Sequence, residues 1–306
     1  MTAAALQGAV QTPSTARTWR DHFPDGDLWV FGYGSLIWKP PPHFDKRVPG
    51  YIKGYVRRFW QVSIASGDHR GTPESPGRVV TVIERSFWET LGDPQAHLET
   101  SSTSTVWGAA YHIPASHAEE VHAYLDQREI DGYTVHYTPF YPVSPVSAAT
   151  VSAARTSSTA GGHDDPGSVP WSQPSALPSS PSSSSSSSYS SSSHPSYITC
   201  MVYIGLPTNP QFLRDPAQRD PEAVAKVISV SRGQSGKNTE YLYLLEKALE
   251  GLGLGSADAH VTDLVRRVKA LEKEEAEAAE AKAEGEVKRT FDPSQRQAHA
   301  EFPRNE

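Results

Sequence analysis

From Leu28 to about Gly92 the apolar positions come in short β-prone runs cut by glycine and proline: Val30 to Leu36, Arg58 to Ile64 and Gly77 to Glu84. This pattern predicts a small twisted sheet or barrel. Arg85 to Thr105 shows no period and many polar residues, which predicts a surface hairpin loop, and Val106 to Ile113 then resumes strand character. Ser116-His117-Ala118-Glu119 has the form of a capping box, so a helix is expected from about His117, with Val121, Tyr124 and Leu125 on one face. It should run out near Gln127-Arg128, before Gly132. Thr134 to Val143 and Tyr197 to Leu206 read as two strands of one hairpin. After Pro207 the period is helical: Asp220-Pro221 starts one helix, which should end at Gly233. Asn238 is expected to cap a second helix through about Glu250, and Ala257 to Glu284 forms a third. Only the first half of that third stretch is amphipathic, through Val261, Leu264, Val265, Val268 and Leu271.

The most informative local feature is Leu28 to Trp38, where an apolar strand empties into Gly32-Tyr33-Gly34-Ser35. Two glycines one residue apart let successive N–H groups converge on an anion, and let a ligand approach backbone without meeting a Cβ. A carboxylate and a phosphate suit such a loop equally, and a plain tight turn between buried elements would look the same. A dinucleotide fingerprint needs a third glycine where Ile37 stands and a helix directly afterwards. Pro40-Pro41-Pro42 excludes that helix.

Between the two predicted hairpin strands, from about Ser144 to Ser196, the composition collapses to Ser, Ala, Thr, Pro and Gly. Such a segment has almost nothing apolar to bury and is expected to be a disordered insertion, which costs little extra closure entropy. The formal charge of −7 over 306 residues, with no Lys/Arg stripe, argues against nucleic acid as a partner. No apolar leader and no run of about twenty apolar residues occurs, so a soluble cytoplasmic protein is expected, with no membrane partner. Cys200 is the single cysteine and sits in a β-like run, where a buried structural thiol is the simpler reading.

Candidate chemistry concentrates in Tyr124 to Tyr133, where Asp126, Arg128, Glu129 and Asp131 stand at a helix-to-strand boundary. Boundaries present catalytic groups, although the same residues serve equally as surface acids and a helix-ending base. No nucleophile elbow, no phosphate-binding Gly-Lys-Ser/Thr loop and no metal-spaced His or Cys set occurs; His112, His117 and His122 lack the usual ligand spacing. What remains is a nest-like loop plus candidate carboxylates, which suits a reaction whose substrate carries its own nucleophile.

Taken in order, Val30 to Lys39, Arg57 to Gln61, Asp68-His69-Arg70-Gly71, Pro76 to Thr81, Trp107 to Tyr111, Tyr124 to Tyr133, Tyr203-Ile204-Gly205 and Ser235 to Leu242 resemble the ChaC-like γ-glutamylcyclotransferases. The resemblance spans Leu28 to about Leu271, apart from the insertion. It implies an α+β fold built as a small mixed β-barrel flanked by helices, and cleavage of glutathione into 5-oxoproline and cysteinylglycine. It also implies that Val30, Phe31, Gly32, Tyr33, Gly34 and Ser35 hold the γ-glutamyl group and that Glu129 is the catalytic acid/base; it implies no cofactor, and without a metal-spaced ligand set no metal is expected. On this reading residues 1–27 are a disordered extension, 28–271 the catalytic domain interrupted at 144–196, and 272–306 a charged tail, helical or disordered. Monomer and weak dimer both remain open. So do two other functions: a cyclotransferase for other γ-glutamyl amines or peptides, and a non-catalytic γ-glutamyl-peptide-binding module.

Overall fold

The computed structural model describes residues 18–64, 70–99, 105–129, 132–143, 197–253 and 255–290. The expected disordered insertion at 144–196, together with Asp68, His69, Asp131 and residues 291–306, lies outside them.

Five strands close a barrel: β1 (Leu28–Gly32), β2 (Lys46–Lys53), β5 (Thr105–Ile113), β6 (Tyr133–Pro142) and β7 (Ile198–Gly205), in the order β1-β5-β2-β6-β7. Neighbours are antiparallel except at the closing seam, where β1 runs parallel to β7 through Val30 opposite Met201. The predicted hairpin across the Ser-rich segment is thus a true pairing, with Tyr133 opposite Gly205 and Phe140 opposite Ile198. Both faces of the sheet carry fully buried apolar side chains, Ile52, Phe140, Cys200 and Val202 on one and Leu28, Val30, Ala109 and Tyr111 on the other. Each large apolar side chain removed from water contributes about 1.5–3 kcal/mol. Burial also pushes the Cys200 thiol far up, as a structural thiol requires.

Two of the early runs leave the barrel. β3 (Tyr55–Ser63) and β4 (Gly77–Glu84) form a separate two-stranded ribbon packed on it. The predicted strand through Leu36 stops at Gly32, and Ser35–Ile37 is a 3-10 turn. Strand β2 escaped prediction because Pro49 and Gly50 interrupt its run, yet Gly50 is where Phe140 and the Tyr141 carbonyl press closest, leaving no room for a Cβ.

The segment expected to be a surface loop is tied down. It holds the short helix α1 (Arg85–Trp88) and a 3-10 turn at Ala96–Leu98, and Trp88 and Gln95 are buried. The cause is Arg58, fully buried on β3, whose Nε lies 2.6 Å from Asp93 Oδ2 and whose Nη1 lies 2.8 Å from Glu99 Oε1. A buried guanidinium has to find carboxylates, and this segment supplies them.

Four longer helices flank the barrel and ribbon: α2 (Ala115–Arg128), α3 (Pro221–Val230), α4 (Asn238–Glu250) and α5 (Ala259–Thr290). Helix α2 begins two residues before the predicted start, and its first N–H is capped from outside: Ala115 donates to Asp27 Oδ1 at 2.9 Å. Val121 and Leu125 face the core, whereas Tyr124 points to solvent. Asp220 caps α3 as predicted, but that helix ends at Val230, and a two-residue ribbon at Arg232–Gly233 and Gly236–Lys237 leads into α4. Asn238 does not cap α4; its side-chain amide pairs with both backbone groups of Arg78, accepting at 2.7 Å and donating at 2.8 Å. Residues 18–27, expected to be disordered, instead pack: Trp19 and Phe23 join the main core because two aromatics in that stretch have apolar surface to bury. No described helix is long and apolar enough to cross a membrane.

Candidate active site

At the end of β1 the chain turns tightly under its own next turn. A Cβ on Gly32 would meet Leu36 Cβ at 2.5 Å, so glycine is required for the chain to fold back there. Ile37 N–H donates to Gly34 O and Trp38 N–H to Ser35 O, closing the 3-10 turn. The Tyr111 hydroxyl reaches out of the barrel to donate to Leu36 O at 2.8 Å and so holds the turn in place.

This loop forms one wall of a cavity whose lining includes Phe31, Tyr33, Gly34, Ser35, Leu36, Val80, Arg128, Glu129, Tyr133, Tyr203 and Tyr241. Helix α2 ends at the opposite wall. Glu129 is its C-terminal capping residue, with its N–H still bonded to Leu125 O, so the last helical turn aims its carboxylate. Arg128 connects the two walls: Nη2 donates to Ser35 Oγ at 3.0 Å, Nη1 to Lys39 O at 3.0 Å, and Nε lies 3.4 Å from Glu129 Oε1. A guanidinium presents several donors in a fixed plane, which lets one residue register the loop against the carboxylate.

Four tyrosines fill the rest of the wall. Tyr33 donates to Tyr203 O at 2.8 Å, Tyr133 to Val80 O at 3.1 Å, and Tyr203 to Asp126 Oδ1 at 2.7 Å. Asp126 is paired on its other oxygen with His122 Nδ1 at 3.1 Å. The hydroxyls of Tyr33 and Tyr241 are pushed well above the ordinary tyrosine range, first by burial and then by the negative charge of Glu129. Tyr203 is raised by burial, then by its bond to Asp126, with Glu129 adding to it. All three therefore stay protonated throughout the neutral range.

Of the residues singled out from sequence, Phe31, Tyr33, Gly34, Ser35 and Glu129 come together on this cavity. Val30 does not: it is fully buried in the barrel, opposite Tyr111 and Met201. Gly32 also stays off the cavity wall and serves the turn beneath it. From sequence alone Tyr203 has no role and Arg128 only that of a helix-ending base, because only the barrel closure and the end of α2 bring them to the loop. Away from the cavity, His43, His117 and Glu120 place three ligand atoms within 4.8 Å of one another at the start of α2. They form a candidate cation site that spacing alone could not reveal, since His43 comes from a distant loop, and it lies at the other end of the helix from Glu129.

The crystal structure of a γ-glutamylcyclotransferase specific to glutathione from yeast superposes with a TM-score of 0.58 at 32% identity, covering 80% of this chain and 96% of that one. The class is therefore the α+β γ-glutamylcyclotransferase fold. Residues 28–271 match the family described as ChaC-like protein. A glutathione-specific γ-glutamylcyclotransferase of Schizosaccharomyces pombe is 39% identical over 80% of this chain and 94% of its own length. The enzyme of that name from Saccharomyces cerevisiae is 35% identical over 77% and 91%. The chain belongs to the ChaC-like family.

Proposed function

We propose that this protein is a glutathione-specific γ-glutamylcyclotransferase, releasing 5-oxoproline and L-cysteinylglycine. The observation that carries this reading is the placement of Glu129 and the Gly34-Ser35 loop on one cavity, held in register by Arg128. The α-carboxylate of the γ-glutamyl group docks on the loop backbone, which folds the substrate so that its α-amine faces its own γ-carbonyl. Intramolecular attack in a fixed rotamer draws on pre-paid entropy worth several kcal/mol.

Glu129 takes a proton from the α-amine as nitrogen attacks the γ-carbon. It returns that proton to the cysteinyl nitrogen as the amide C–N bond breaks and the five-membered lactam closes. Because the substrate supplies the nucleophile, no step calls for a cofactor. The yeast relatives named for glutathione support the choice of substrate. The net charge of −7 and the lack of a membrane-crossing helix among the described residues support a cytoplasmic enzyme that engages neither nucleic acid nor membrane.

Turnover of reduced glutathione, followed as 5-oxoproline and cysteinylglycine, tests the reading alongside Glu129→Gln. The wild type should release both products, and the variant, folded to the same melting temperature, should lose at least two to four orders of magnitude in kcat. Equal rates would remove Glu129 from the mechanism. Binding without turnover in the wild type would make the protein a γ-glutamyl-peptide sensor, and turnover of other γ-glutamyl amines in preference to glutathione would overturn the substrate.

A further inference from the structure

The four cavity tyrosines divide by where their hydroxyl protons go. A phenol carries one proton, and Tyr33, Tyr133 and Tyr203 each donate theirs to a protein acceptor, respectively Tyr203 O, Val80 O and Asp126 Oδ1. Toward the cavity these three oxygens have only lone pairs to present. They suit the N–H groups of a ligand, not an oxyanion.

Tyr241 is arranged differently. It lies on the cavity wall, and among the described residues no hydrogen bond to a protein acceptor takes its proton. The Tyr241 ring is fixed edge-on by Trp38 at 5.3 Å and Phe59 at 5.9 Å between centroids. Its hydroxyl stands 3.0 Å from where a Cβ on Gly34 would be, directly over the bare backbone of the loop.

We infer that Tyr241 is the hydrogen-bond donor to the γ-carbonyl oxygen of the substrate, and that Gly34 lacks a side chain because the Tyr241 hydroxyl and Val80 Cγ2 both stand 3.0 Å from where its Cβ would be. The inference rests on the cyclotransferase reading. As the α-amine attacks, the carbonyl π pair moves onto oxygen, and the Tyr241 O–H strengthens its bond to that oxygen without giving up the proton. When the tetrahedral intermediate collapses, the pair returns to the carbonyl and the C–N bond to cysteine breaks. The leaving nitrogen takes the proton held by Glu129, so atoms and charge balance. Burial and the Glu129 charge, which raise the hydroxyl's pKa, keep it a donor throughout. A fixed donor aimed at a developing oxyanion acts in the transition state more than in the ground state.

Tyr241→Phe tests this, with kcat and KM for reduced glutathione measured separately and melting temperature as the control for folding. The expected result is a fall in kcat of about 10²–10³-fold, the loss typical of one oxyanion donor, with KM within threefold of wild type. A kcat within threefold, or a change confined to KM, overturns the inference. Should the phenylalanine variant fail to fold, 3,5-difluorotyrosine incorporated at 241 keeps the shape but ionises more easily. It should then show an alkaline loss of kcat that the wild type lacks, and coincident profiles would refute the donor role. A wild type that does not turn over glutathione at all overturns the cyclotransferase reading itself, which separates the two failures.

Discussion

Replacing Arg58 should cost more stability than any surface ion pair in this protein, because the charge it balances cannot reach water. The guanidinium is fully buried and its partner Asp93 is 2% exposed at the side chain. In Arg58→Leu the Asp93 carboxylate keeps bonds from Trp88 Nε1 and Gln95 N–H, both at 2.8 Å, but loses its countercharge. Removing one member of a buried pair costs about 3–5 kcal/mol. For a domain of this size each kcal/mol moves the melting temperature by about 2–4 °C, so the drop should be on the order of 10 °C. Among the described residues one terminal nitrogen of Arg58 lacks a partner, so the native pair carries an unrecovered desolvation cost. The double variant Arg58→Leu/Asp93→Leu should for that reason recover at least half of the loss. Urea unfolding of wild type, both single variants and the double closes the cycle. A single-variant loss under about 1 kcal/mol would refute the argument, as would a double variant that simply sums the two single losses.

Two further predictions concern pH. His260 is buried, accepting from Phe59 N–H on Nε2 at 3.0 Å and donating through Nδ1 to Gln95 Oε1 at 2.8 Å, and burial holds its pKa well below the usual value of 6.5. The unfolded chain therefore binds the extra proton, so wild-type stability should fall as pH drops below about 6.5, and His260→Gln should flatten that slope in unfolding titrations. Asp27 has its pKa lowered by the Ala115 N–H and then by His112, so its contribution is present above the unfolded carboxylate value and fades below it. Asp27→Ala should cost about 1 kcal/mol at pH 7 through the lost helix cap, with the gap to wild type narrowing below about pH 4. A gap independent of pH would separate the cap from the charge.

What the chain discloses in its own letters follows from how local each signal is. The Gly32 to Ser35 loop, the end of α2 at Arg128 and the β6–β7 hairpin were legible because turn chemistry and periodicity act over a few residues. Strand β2 was not, since a proline and a glycine inside a strand read as a break until Phe140 shows why the glycine is needed. The ordering of residues 85–99 depends on Arg58, some thirty-five residues upstream, and the helix cap at Ala115 comes from Asp27. At the cavity, Glu129 and its glycine loop could be named from sequence, whereas the division among the four tyrosines depends on hydroxyl partners that only the folded chain defines.

Strand β7 both closes the barrel against β1 and carries Tyr203 to the cavity, and it follows β6 in the chain only after about 55 residues. A ribosome adding roughly 5–20 residues per second takes roughly 3–11 s to cross that distance. For those seconds the nascent protein has Glu129 and its glycine loop but no seam, and the edges of β1 and β6 stand unpaired. The length of the Ser-rich stretch thus sets a timer on the completion of the cavity, and shortening it should hasten the moment at which a newly made chain is safe from edge-to-edge aggregation.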